Sequence, residues 1–493
     1  MAKKFYLTTP IYYVNDIPHI GHAYTTIAGD VLARYKRLMG FDVHYLTGTD
    51  EHGQKIWRAG GMTAEGAMKL VDEKVAGFKE AWNVLGIKYD DFIRTTEERH
   101  KKVVQEFFQQ MQKKGDVYKG EYEGHYCVPC ESFWSGLDLC PDCGRVTELL
   151  KEESYFFKLS KYQQPLLDHI EKHPEFIQPE SRRNEILQFI KSGLRDLSVT
   201  RTAFPWGIEL KDDPKHVIYV WFDALINYVS ALGYPDGEVY QNYWPADVHL
   251  MGKEIVRFHS VIWPAMLLAV GAPLPKKVFG HGWWTVEGKK MSKSKGNVVD
   301  PIALSSEFGV DAVRYFLMRE VPFGSDGDFS RTSFIKRFNS DLANDIGNLL
   351  NRTLTMVGKY FDGKIPVAPK SDDDLAKLAE ETPKLLEADM DNLQFSLALE
   401  KIWVMINKAN KYIEEKAPWK LAKANEAEHL AEVMHNLCRV LYVSAVLISP
   451  FMPQTAEKMW SQLGLKGEIS LNTKIAGVTV QKGEPMFPRL EVS

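Results

Sequence analysis

The stretch from Phe5-Tyr6-Leu7-Thr8 to Thr47-Gly48-Thr49-Asp50 decides the fold. It opens with a β-rich run, and the cluster Asn15-Asp16-Ile17-Pro18 is typical of a strand end and a helix start. Apolar residues then recur at helical spacing at Ile27, Val31, Tyr35 and Leu38. A second β-rich run follows at residues 41–46. Strand, helix and strand in this order predict an α/β fold with a parallel, doubly wound sheet.

A second set of such elements follows later in the chain. Residues 217–222, 247–251 and 277–279 are predicted strands, and the apolar run 256–270 between the last two is a predicted helix. Residues 118–215 separate the two sets. We therefore expect an insertion that joins two halves of one nucleotide-binding fold.

From about residue 338 onward the sequence becomes helical. Two apolar stripes step by three and four residues, which is the spacing of one helix face. They are Leu399, Ile402, Ile406, Ala409 and Ile413, and then Leu430, Met434, Leu437, Leu441, Ala445 and Ile448. Such stripes are usually the packed faces of a helical bundle. Residues 359–374, rich in Gly, Pro, Lys and Asp, are expected to form a loop between its helices.

The composition is that of a soluble, multidomain globular protein. The chain has 493 residues, of which 45% are hydrophobic and 26% charged, with a formal net charge of −4. These fractions exclude disordered and collagen-like chains, and the charge excludes a basic coat for non-specific nucleic-acid binding. Gly, Pro or Arg interrupts the most apolar stretches, and the N-terminus has no signal-peptide pattern. We expect a cytoplasmic protein that does not reside in a membrane.

Four of the five cysteines form two Cys-x2-Cys pairs, Cys127 with Cys130 and Cys140 with Cys143. Two such pairs are typical of a zinc knuckle, because each pair supplies two thiolates to one tetrahedral ion. Disulfides and chance are the alternatives, but disulfides suit a reducing compartment poorly and chance rarely yields two pairs this close. Four thiolates saturate zinc, so the predicted site is structural. Cys438 lies in an apolar stretch and is expected to be buried.

Two short motifs suit a nucleoside triphosphate. His19-Ile20-Gly21-His22 lies at a predicted helix N-terminus, where backbone N–H groups and two imidazoles can donate to phosphate and Gly21 permits close approach. Lys290-Met291-Ser292-Lys293-Ser294 places two ammonium groups on a glycine-bounded loop. These would stabilise the charge that develops as pyrophosphate leaves. Either motif alone is more often a solvated loop or a basic turn, but both together, in this order, favour the nucleotide interpretation.

The two motifs resemble the paired signatures of class I aminoacyl-tRNA synthetases. From Pro10-Ile11-Tyr12-Tyr13-Val14-Asn15 to Phe487-Pro488-Arg489-Leu490-Glu491, essentially the whole chain resembles the methionyl-tRNA synthetases. The resemblance implies a class I Rossmann-type catalytic fold with an inserted zinc-knuckle domain, followed by an α-helical anticodon-binding bundle. We place the first catalytic half at 1–117, the connective insertion at 118–215, the second half at 216–285, the loop and connecting region at 286–337, and the helical region at 338–493.

The resemblance also implies a methionine site. Asp50, at the carboxyl end of the second strand, resembles the carboxylate that holds the substrate α-ammonium group, although an Asp there is commonly a turn cap. The implied pocket residues are Ile11, Tyr13, Trp221, Ala224, Leu225, Tyr228, Ile255 and His259, with Leu225 where some relatives have Pro. A thioether is a weak acceptor, so shape and aromatic contact suit its recognition. Without the resemblance, Trp221 and Tyr228 are equally consistent with core residues.

For ATP, the resemblance implies contacts from His19, Gly21, His22, Glu254 and Lys293, with His19, His22, Lys290 and Lys293 as the catalytic groups. Glu254 would contact the ribose, at a position where the family often has Asp.

In the helical region, Asn348, Arg352 and Trp419 match the family's anticodon-reading residues. An amide, a guanidinium and an aromatic face suit unpaired bases. Taken alone, a Trp after a proline is more often a packing residue.

The implied activity is a ligase reaction. L-Methionine and ATP, with Mg2+, give methionyl-adenylate and pyrophosphate, and the methionyl group then passes to tRNA(Met) for initiation and elongation. Catalysis would rest on positioning and electrostatic stabilisation, without a covalent enzyme intermediate. Since no C-terminal dimerising domain like that of some relatives follows the bundle, we expect a monomer.

Two other interpretations stay open at this stage. The first is another class I synthetase. The Ile, Val and Leu enzymes carry a large editing insertion, for which the span between His22 and Lys290 leaves little room, and a cysteine enzyme needs an open zinc position. The second, from a different class, is a catalytically silent tRNA-binding paralogue or a zinc-knuckle RNA-binding module. The intact His19, His22, Asp50 and Lys293 argue against it.

Overall fold

The computed structural model of the chain describes residues 2–14, 17–128, 132–134, 138–141, 144–291, 297–367 and 373–491. The chain divides into two compact units. The first contains Met1–Gly29 and Gly40–His281, and the second contains Asp30–Met39 and Gly282–Ser493. The finer domain boundaries expected from the sequence stay predictions.

The first unit contains twelve described strands in two main sheets and one short pair. They are β1 (Lys4–Tyr13), β2 (Asp42–Asp50), β3 (Asp91–Arg94), β4 (Val117–Cys127), β5 (Ser132–Trp134), β6 (Glu148–Phe157), β7 (Ile177–Gln178), β8 (Leu197–Ser198), β9 (Thr200–Arg201), β10 (Val217–Ile218), β11 (Val248–Gly252) and β12 (Val278–His281). The central sheet has the order β3-β2-β1-β11-β12-β7, and all its neighbours are parallel. This confirms the predicted α/β class.

The insertion builds a second, antiparallel sheet in the order β5-β4-β6-β8, beside the pair β9 and β10. It also supplies β7, the edge strand of the central parallel sheet, where Val278 pairs with Ile177. A two-residue strand carries no usable periodicity, so this pairing could not be predicted from the sequence. The insertion is therefore joined to the central sheet by hydrogen bonds as well as by its chain connections.

The register of β1 and β2 places two predicted site residues side by side. Tyr13 pairs with Asp50 at the carboxyl ends of the two strands, after an irregularity between Thr8 and Ile11. Pro10 lies within that irregularity and has no N–H to donate to a neighbouring strand.

The close approach of β2 and β3 depends on Gly48, because a Cβ atom at this position would lie 2.1 Å from the Ile93 carbonyl oxygen. Glycine is therefore required there for steric reasons.

Helices flank the central sheet of the first unit and connect its strands. They are α1 (Ile20–Leu38), α2 (Gln54–Ala59), α3 (Ala64–Val84), α4 (Glu98–Lys113), α5 (Gln163–Lys172), α6 (Glu180–Lys191), α7 (Val220–Leu225), α8 (Asn227–Ser230), α9 (Glu238–Tyr243) and α10 (Trp263–Val270). Short 3-10 turns lie at Leu159–Tyr162 and Lys253–Ile255. The predicted first helix is confirmed as α1, and its residues from Asp30 onward belong to the second unit.

The strand predicted at residues 217–222 is largely wrong. Only Val217–Ile218 is extended, and Val220–Leu225 is the helix α7. A short apolar run bounded by other structure fits a buried strand and a buried helix equally well, because periodicity needs a polar face to be visible. All residues of α7 except Trp221 are buried, so the sequence pattern could not separate the two.

The helix predicted at residues 256–270 is present but contains a π-helical segment. Phe258–Ile262 adopts the wider π turn, and α10 follows directly. Pro264 gives a physical reason, because a proline ring clashes with the carbonyl four residues before it, here that of Ser260. The helix ends at Gly271, which has a φ of 84° and caps it in the left-handed conformation.

The second unit contains a small three-stranded sheet and nine described helices. The strands are β13 (Trp284–Val286), β14 (Lys289–Lys290) and β15 (Gly327–Phe329). The helices are α11 (Pro301–Phe308), α12 (Val310–Arg319), α13 (Arg331–Arg337), α14 (Asn348–Phe361), α15 (Asp374–Asp391), α16 (Phe395–Lys416), α17 (Pro418–Lys423), α18 (Ala427–Ile448) and α19 (Pro453–Gln462). A π-helical segment, Phe338–Gly347, joins α13 to α14.

Both predicted apolar stripes are confirmed as buried faces, of α16 and of α18. Cys438, on α18, is buried as expected, and burial raises the pKa of its thiol to about 12. Both ends of the predicted loop 359–374 are helical, because α14 continues to Phe361 and α15 begins at Asp374, and residues 368–372 of this prediction lie outside the described residues. α18 is long and apolar enough to span a membrane, but 78% of its most apolar window is buried inside the protein, as in a core helix.

Candidate active site

A cavity of about 270 Å³ opens in the first unit where β1, β2, α7, α8 and the π segment meet. It brings together all nine residues predicted for methionine: Ile11, Tyr13, Asp50, Trp221, Ala224, Leu225, Tyr228, Ile255 and His259. Four lining residues were not predicted, namely Pro10, Lys55, Val220 and Asn227. Most of the lining is apolar or aromatic, with one carboxylate and one ammonium group, which suits a small amino acid with a neutral side chain.

The acidic end of the cavity is formed by the last residue of β2 and held in place by the residue after it. Asp50 ends the strand and is only 8% exposed. Its neighbour Glu51 is fully buried, and its carboxylate accepts from Arg94 Nε at 2.7 Å and Nη2 at 3.0 Å. This two-point contact anchors the backbone on which Asp50 stands.

One wall of the cavity is aromatic. The rings of Trp221, on α7, and Phe258, on the π segment, are stacked with centroids 3.8 Å apart and planes 10° apart. Phe258 was not among the predicted residues. It does not line the cavity and contributes to the wall only by stacking on Trp221. A pair of stacked rings offers a rigid, polarisable surface to a thioether.

The far end of the cavity has one polar pair. The Tyr228 hydroxyl lies 2.7 Å from His259 Nε2, and His259 Nδ1 lies 2.9 Å from the Ile255 carbonyl oxygen. The carbonyl can only accept, so Nδ1 carries the proton and Tyr228 donates to Nε2. Burial lowers the pKa of His259 to about 4, so the imidazole is neutral at pH 7. The pair therefore presents no charge to a bound side chain.

Asn227 adds a polar group that the sequence analysis missed. Its Nδ2 donates to the Ala224 carbonyl at 2.6 Å, while its Oδ1 is buried and has no hydrogen-bond partner among the described residues. The position belongs to α8, whose four residues are too few for a recognisable helical pattern. Lys55 was missed for a similar reason, since it lies on a short helix outside the recognised motifs.

The first signature motif lies where β1 leads into α1, as predicted. The His19 backbone N–H donates to His22 Nδ1 at 3.2 Å, and the Gly21 N–H donates to His19 Nδ1 at 3.0 Å. Both Nδ1 atoms therefore act as acceptors, and in each neutral ring Nε2 carries the proton. Desolvation and the neighbouring His19 ring lower the pKa of His22 well below its ordinary value. The motif thus offers Nε2–H donors without needing a charged imidazole.

The structure describes only some of the other residues that were predicted to contact ATP. Glu254 lies in the 3-10 turn after β11, and its carboxylate folds over Gly252, where an added Cβ would lie 2.5 Å from it. Lys290 is the last residue of β14, but its side chain lies outside the described part of the structure. Lys293 lies wholly outside the described residues, so the geometry of the second signature motif stays a prediction.

Two of the four predicted zinc ligands can be placed. Cys127 ends β4, and Cys140 stands in a turn in which its carbonyl accepts from the Gly144 N–H at 2.7 Å. Both side chains are buried, which fits thiolates that face one ion. Cys130 and Cys143 lie outside the described residues. Glu153, Asp213 and His216 form another group of side chains with the right spacing for a metal ion. Lys215 and Lys119 contact the Glu153 carboxylate at 2.5 and 3.0 Å, so its negative charge is already neutralised by lysine.

The three predicted anticodon residues lie on helices of the second unit. Asn348 begins α14 and is exposed, and Arg352 lies one turn later, where it donates to Glu414 at 2.6 Å. Trp419, on α17, is 37% exposed. More than a third of this side chain is therefore open to solvent, and its role in anticodon reading stays a prediction.

Comparison with known proteins gives concordant matches. The model of the class I tRNA synthetases (M) matches residues 5–149 and 138–354, and the anticodon-binding domain of tRNA ligase matches 372–476. The chain is 56% identical to the methionine–tRNA ligase of Caldanaerobacter subterraneus, over all of this chain and 80% of that protein. It is 52% identical to that of Bacillus subtilis, over 99% and 78% respectively.

Solved structures agree with the sequence matches. Mycobacterium tuberculosis methionyl-tRNA synthetase in complex with methionyl-adenylate superposes with a TM-score of 0.95 at 41% identity, covering 99% of this chain and 100% of that one. The free-state enzyme gives a TM-score of 0.90 at 38% identity, covering 100% and 99%.

A parallel nucleotide-binding sheet with this cavity at its carboxyl edge, followed by an anticodon-binding domain, defines a class I aminoacyl-tRNA synthetase. Within that class, the chain belongs to the methionine–tRNA ligase family.

Proposed function

We propose that this chain activates L-methionine with ATP and transfers the methionyl group to tRNA(Met), for use in initiation and elongation. The observation that carries the proposal is the single cavity lined by Asp50, the Trp221 wall and the neutral Tyr228–His259 pair. A ligand that combines an ammonium group with an uncharged, polarisable side chain satisfies all three parts.

Methionine binds with its α-ammonium group on the Asp50 carboxylate and its thioether against the aromatic wall. A charged hydrogen bond to the largely buried Asp50 fixes the amino-acid end, and sulfur–aromatic contact adds about 0.3–1.5 kcal/mol at the other. Lys55 lines the same cavity and has its Nζ 5.8 Å from the centre of the Tyr13 ring. Its charge balances that of the substrate carboxylate.

Activation joins the methionine carboxylate to the α-phosphorus of ATP. The carboxylate oxygen attacks, the bond from the α-phosphorus to the bridging oxygen breaks, and pyrophosphate leaves with the electron pair. The Nε2–H groups of His19 and His22 donate to phosphate oxygens, and Lys290 and Lys293 stabilise the charge on the departing pyrophosphate. Glu254 accepts from the ribose hydroxyls. Mg2+ neutralises charge on the triphosphate when it is bound with ATP.

Transfer follows when a ribose hydroxyl of the tRNA 3′ end attacks the methionyl carbonyl and AMP leaves. Asn348, Arg352 and Trp419 read the anticodon, using an amide, a guanidinium and an aromatic face on unpaired bases. The match to the anticodon-binding domain covers residues 372–476 and supports the assignment of Trp419, whereas Asn348 and Arg352 lie in the range matched by the class I synthetase model.

A structural zinc ion is held by Cys127, Cys130, Cys140 and Cys143. Its test is metal analysis of the purified protein, with one zinc per chain expected and Cys127→Ser expected to abolish it. We further propose a cytoplasmic monomer, for which light scattering at micromolar concentration is the test. A mass corresponding to a dimer would contradict it.

The decisive experiment is amino-acid-dependent exchange of pyrophosphate into ATP, run with each of the twenty amino acids and without tRNA. Exchange with methionine alone is expected. Exchange with another amino acid would keep the class and overturn the pocket assignment. No exchange by folded, zinc-replete protein would favour a catalytically silent tRNA-binding paralogue.

A further inference from the structure

A buried His–Asp–His arrangement lies behind the cavity wall. Asp223, on α7, is fully buried, and its Oδ2 lies 2.6 Å from His52 Nδ1 while its Oδ1 lies 2.6 Å from His100 Nε2. His100 Nδ1 continues the chain of hydrogen bonds to Ser230 Oγ at 2.7 Å. Burial alone would raise the pKa of Asp223, but the two imidazoles outweigh it and lower that pKa. The carboxylate is therefore ionised and has an N–H donor on each oxygen.

The three side chains come from three separate elements, namely the segment after β2, α4 and α7. His52 is two residues beyond Asp50, which forms the acidic end, and His100 lies in the first turns of α4. Asp223 lies between Trp221 and Ala224, which line the cavity. Asp223 itself does not line the cavity, and each of its carboxylate oxygens lies within hydrogen-bond distance of a histidine ring nitrogen. The carboxylate is therefore engaged behind the cavity wall.

We propose that Asp223, with His52 and His100, forms a positioning network that fixes the α7 wall relative to Asp50 and thereby sets the affinity for methionine. This inference rests on the proposed function. It concerns residues that act through the cavity lining and do not touch substrate, so they are positioning residues and not catalytic ones.

The physical basis is the stiffness of a buried, doubly charge-assisted hydrogen-bond pair. Hydrogen bonds to an ionised group are short and strong, and an unsatisfied buried carboxylate oxygen is costly. At 2.6 Å on each side, any shift of α7 away from the end of β2 lengthens at least one of them. A displacement of about 1 Å in a positioning element can cost about a hundredfold in catalytic efficiency. A small shift of α7 on loss of these hydrogen bonds is therefore enough to weaken methionine binding.

The two histidines use different ring nitrogens, and this gives a sharp test. The amide nitrogen of asparagine occupies about the position of a histidine Nδ1, whereas that of glutamine reaches about as far as Nε2. His52→Asn and His100→Gln therefore keep an N–H on Asp223, whereas His52→Gln and His100→Asn misplace it. Each position carries its own matched pair of variants of identical chemistry.

The expected result is a crossed pattern. His52→Gln and His100→Asn raise the methionine KM in pyrophosphate exchange by about tenfold or more, with the ATP KM and kcat changed by less than about threefold. His52→Asn and His100→Gln stay within about threefold of wild type on all three constants. Methionine titration followed by tryptophan fluorescence, to which Trp221 on the cavity wall contributes, gives an independent dissociation constant that follows the same pattern.

Two controls separate positioning from general stability and from the proposed function. His216 is also fully buried and contacts Glu153 at 3.2 Å in the same unit, away from the cavity. His216→Gln is expected to lower Tm without changing the methionine KM. Equal effects of Asn and Gln at each position, or a loss of Tm with no KM change, would overturn the network proposal while wild-type exchange stands. Failure of the wild type itself to exchange with methionine refutes the proposed function.

Discussion

The proposed amino-acid cavity of the first unit and the proposed RNA-binding helices of the second differ most in their exposure to solvent. In the cavity, Asp50, Tyr228 and His259 are 8%, 1% and 2% exposed. On the helices, Asn348 is exposed and Trp419 is 37% exposed. A small amino acid offers few contacts, so its site has to be dry and rigid to discriminate. A folded RNA brings its own surface and excludes water only when it binds.

The contrast predicts where mutational effects will be large. In the cavity, every removed contact leaves a buried partner unsatisfied, which adds a desolvation penalty to the lost contact. On the helical surface, water replaces the missing partner, so a substitution costs little more than the contact itself. Mutational effects should therefore be larger in the cavity than on the helices.

Asp50→Asn should have the largest effect. It removes the charge that is proposed to face the substrate ammonium group while preserving shape, and loss of such a buried charged contact costs about 2–5 kcal/mol. We expect kcat/KM for methionine in pyrophosphate exchange to fall by about 10²- to 10³-fold. Asp196→Asn, at a half-buried site outside the cavity where the carboxylate accepts from Ser160 and Tyr118, should leave exchange unchanged. A fall of less than about tenfold at Asp50 would remove it from the ammonium site.

Trp419→Ala should impair tRNA charging and spare activation. Stacking of one base on an aromatic ring contributes about 1–3 kcal/mol, so kcat/KM for tRNA in aminoacylation should fall by about 5- to 150-fold. Exchange without tRNA should stay at the wild-type level, and Trp419→Phe should recover part of the charging. Equal losses in both assays would mean that Trp419 stabilises the fold and does not read RNA.

Tyr228→Phe should have a moderate effect that is confined to methionine. The change removes the hydroxyl that donates to His259 Nε2 at 2.7 Å, and a neutral hydrogen bond contributes about 1 kcal/mol. The methionine KM should rise about fivefold, with the ATP KM unchanged. An unchanged methionine KM would show that the polar pair plays no part in recognition.

Asp345→Asn should produce the smallest change, and only in stability. Burial and the nearby Asp341 raise the pKa of Asp345 to about 6, so the folded state binds its proton more tightly than the unfolded chain does. The free energy of unfolding therefore falls as pH rises from about 4 to 6 and carries the full penalty above that range. The variant should have a higher Tm than wild type at pH 8 and a smaller advantage at pH 5. The same advantage at both pH values would rule out this carboxylate as the cause.

Sequence reasoning succeeded where residue types and strand order sufficed. The parallel sheet followed from the alternation over the first 50 residues, and the bundle followed from the stripes on α16 and α18. The nine residues brought together in the cavity were assigned through the family resemblance. Without the family resemblance, nothing in the sequence pattern distinguishes Trp221 and Tyr228 from core residues, because a buried pocket and a buried core have the same amino-acid composition.

What the sequence did not predict depends on contacts between distant residues. The partnership of His100 with Asp223 joins positions 123 residues apart, and nothing local to either residue indicates it. The helix α7 was predicted as a strand because its apolar run is buried on nearly every side. Asn227 and Lys55 belong to short helices outside every recognised motif, so only the fold shows that they face the cavity.

The π segment Phe258–Ile262 also determines the rotational phase of the helix that contains it. A π turn accommodates one residue more than an α turn, and each residue of an α-helix turns the chain by about 100°. Side chains before the segment are therefore offset by about that angle from where an uninterrupted helix would put them relative to α10. Ile255 reaches the cavity from one side of this offset, while Trp263, on the other side, is fully buried in the core. Deletion of one residue here would return the helix to regular phase and turn Ile255 away from the substrate, so the length of this segment is as much a part of the site as its side chains.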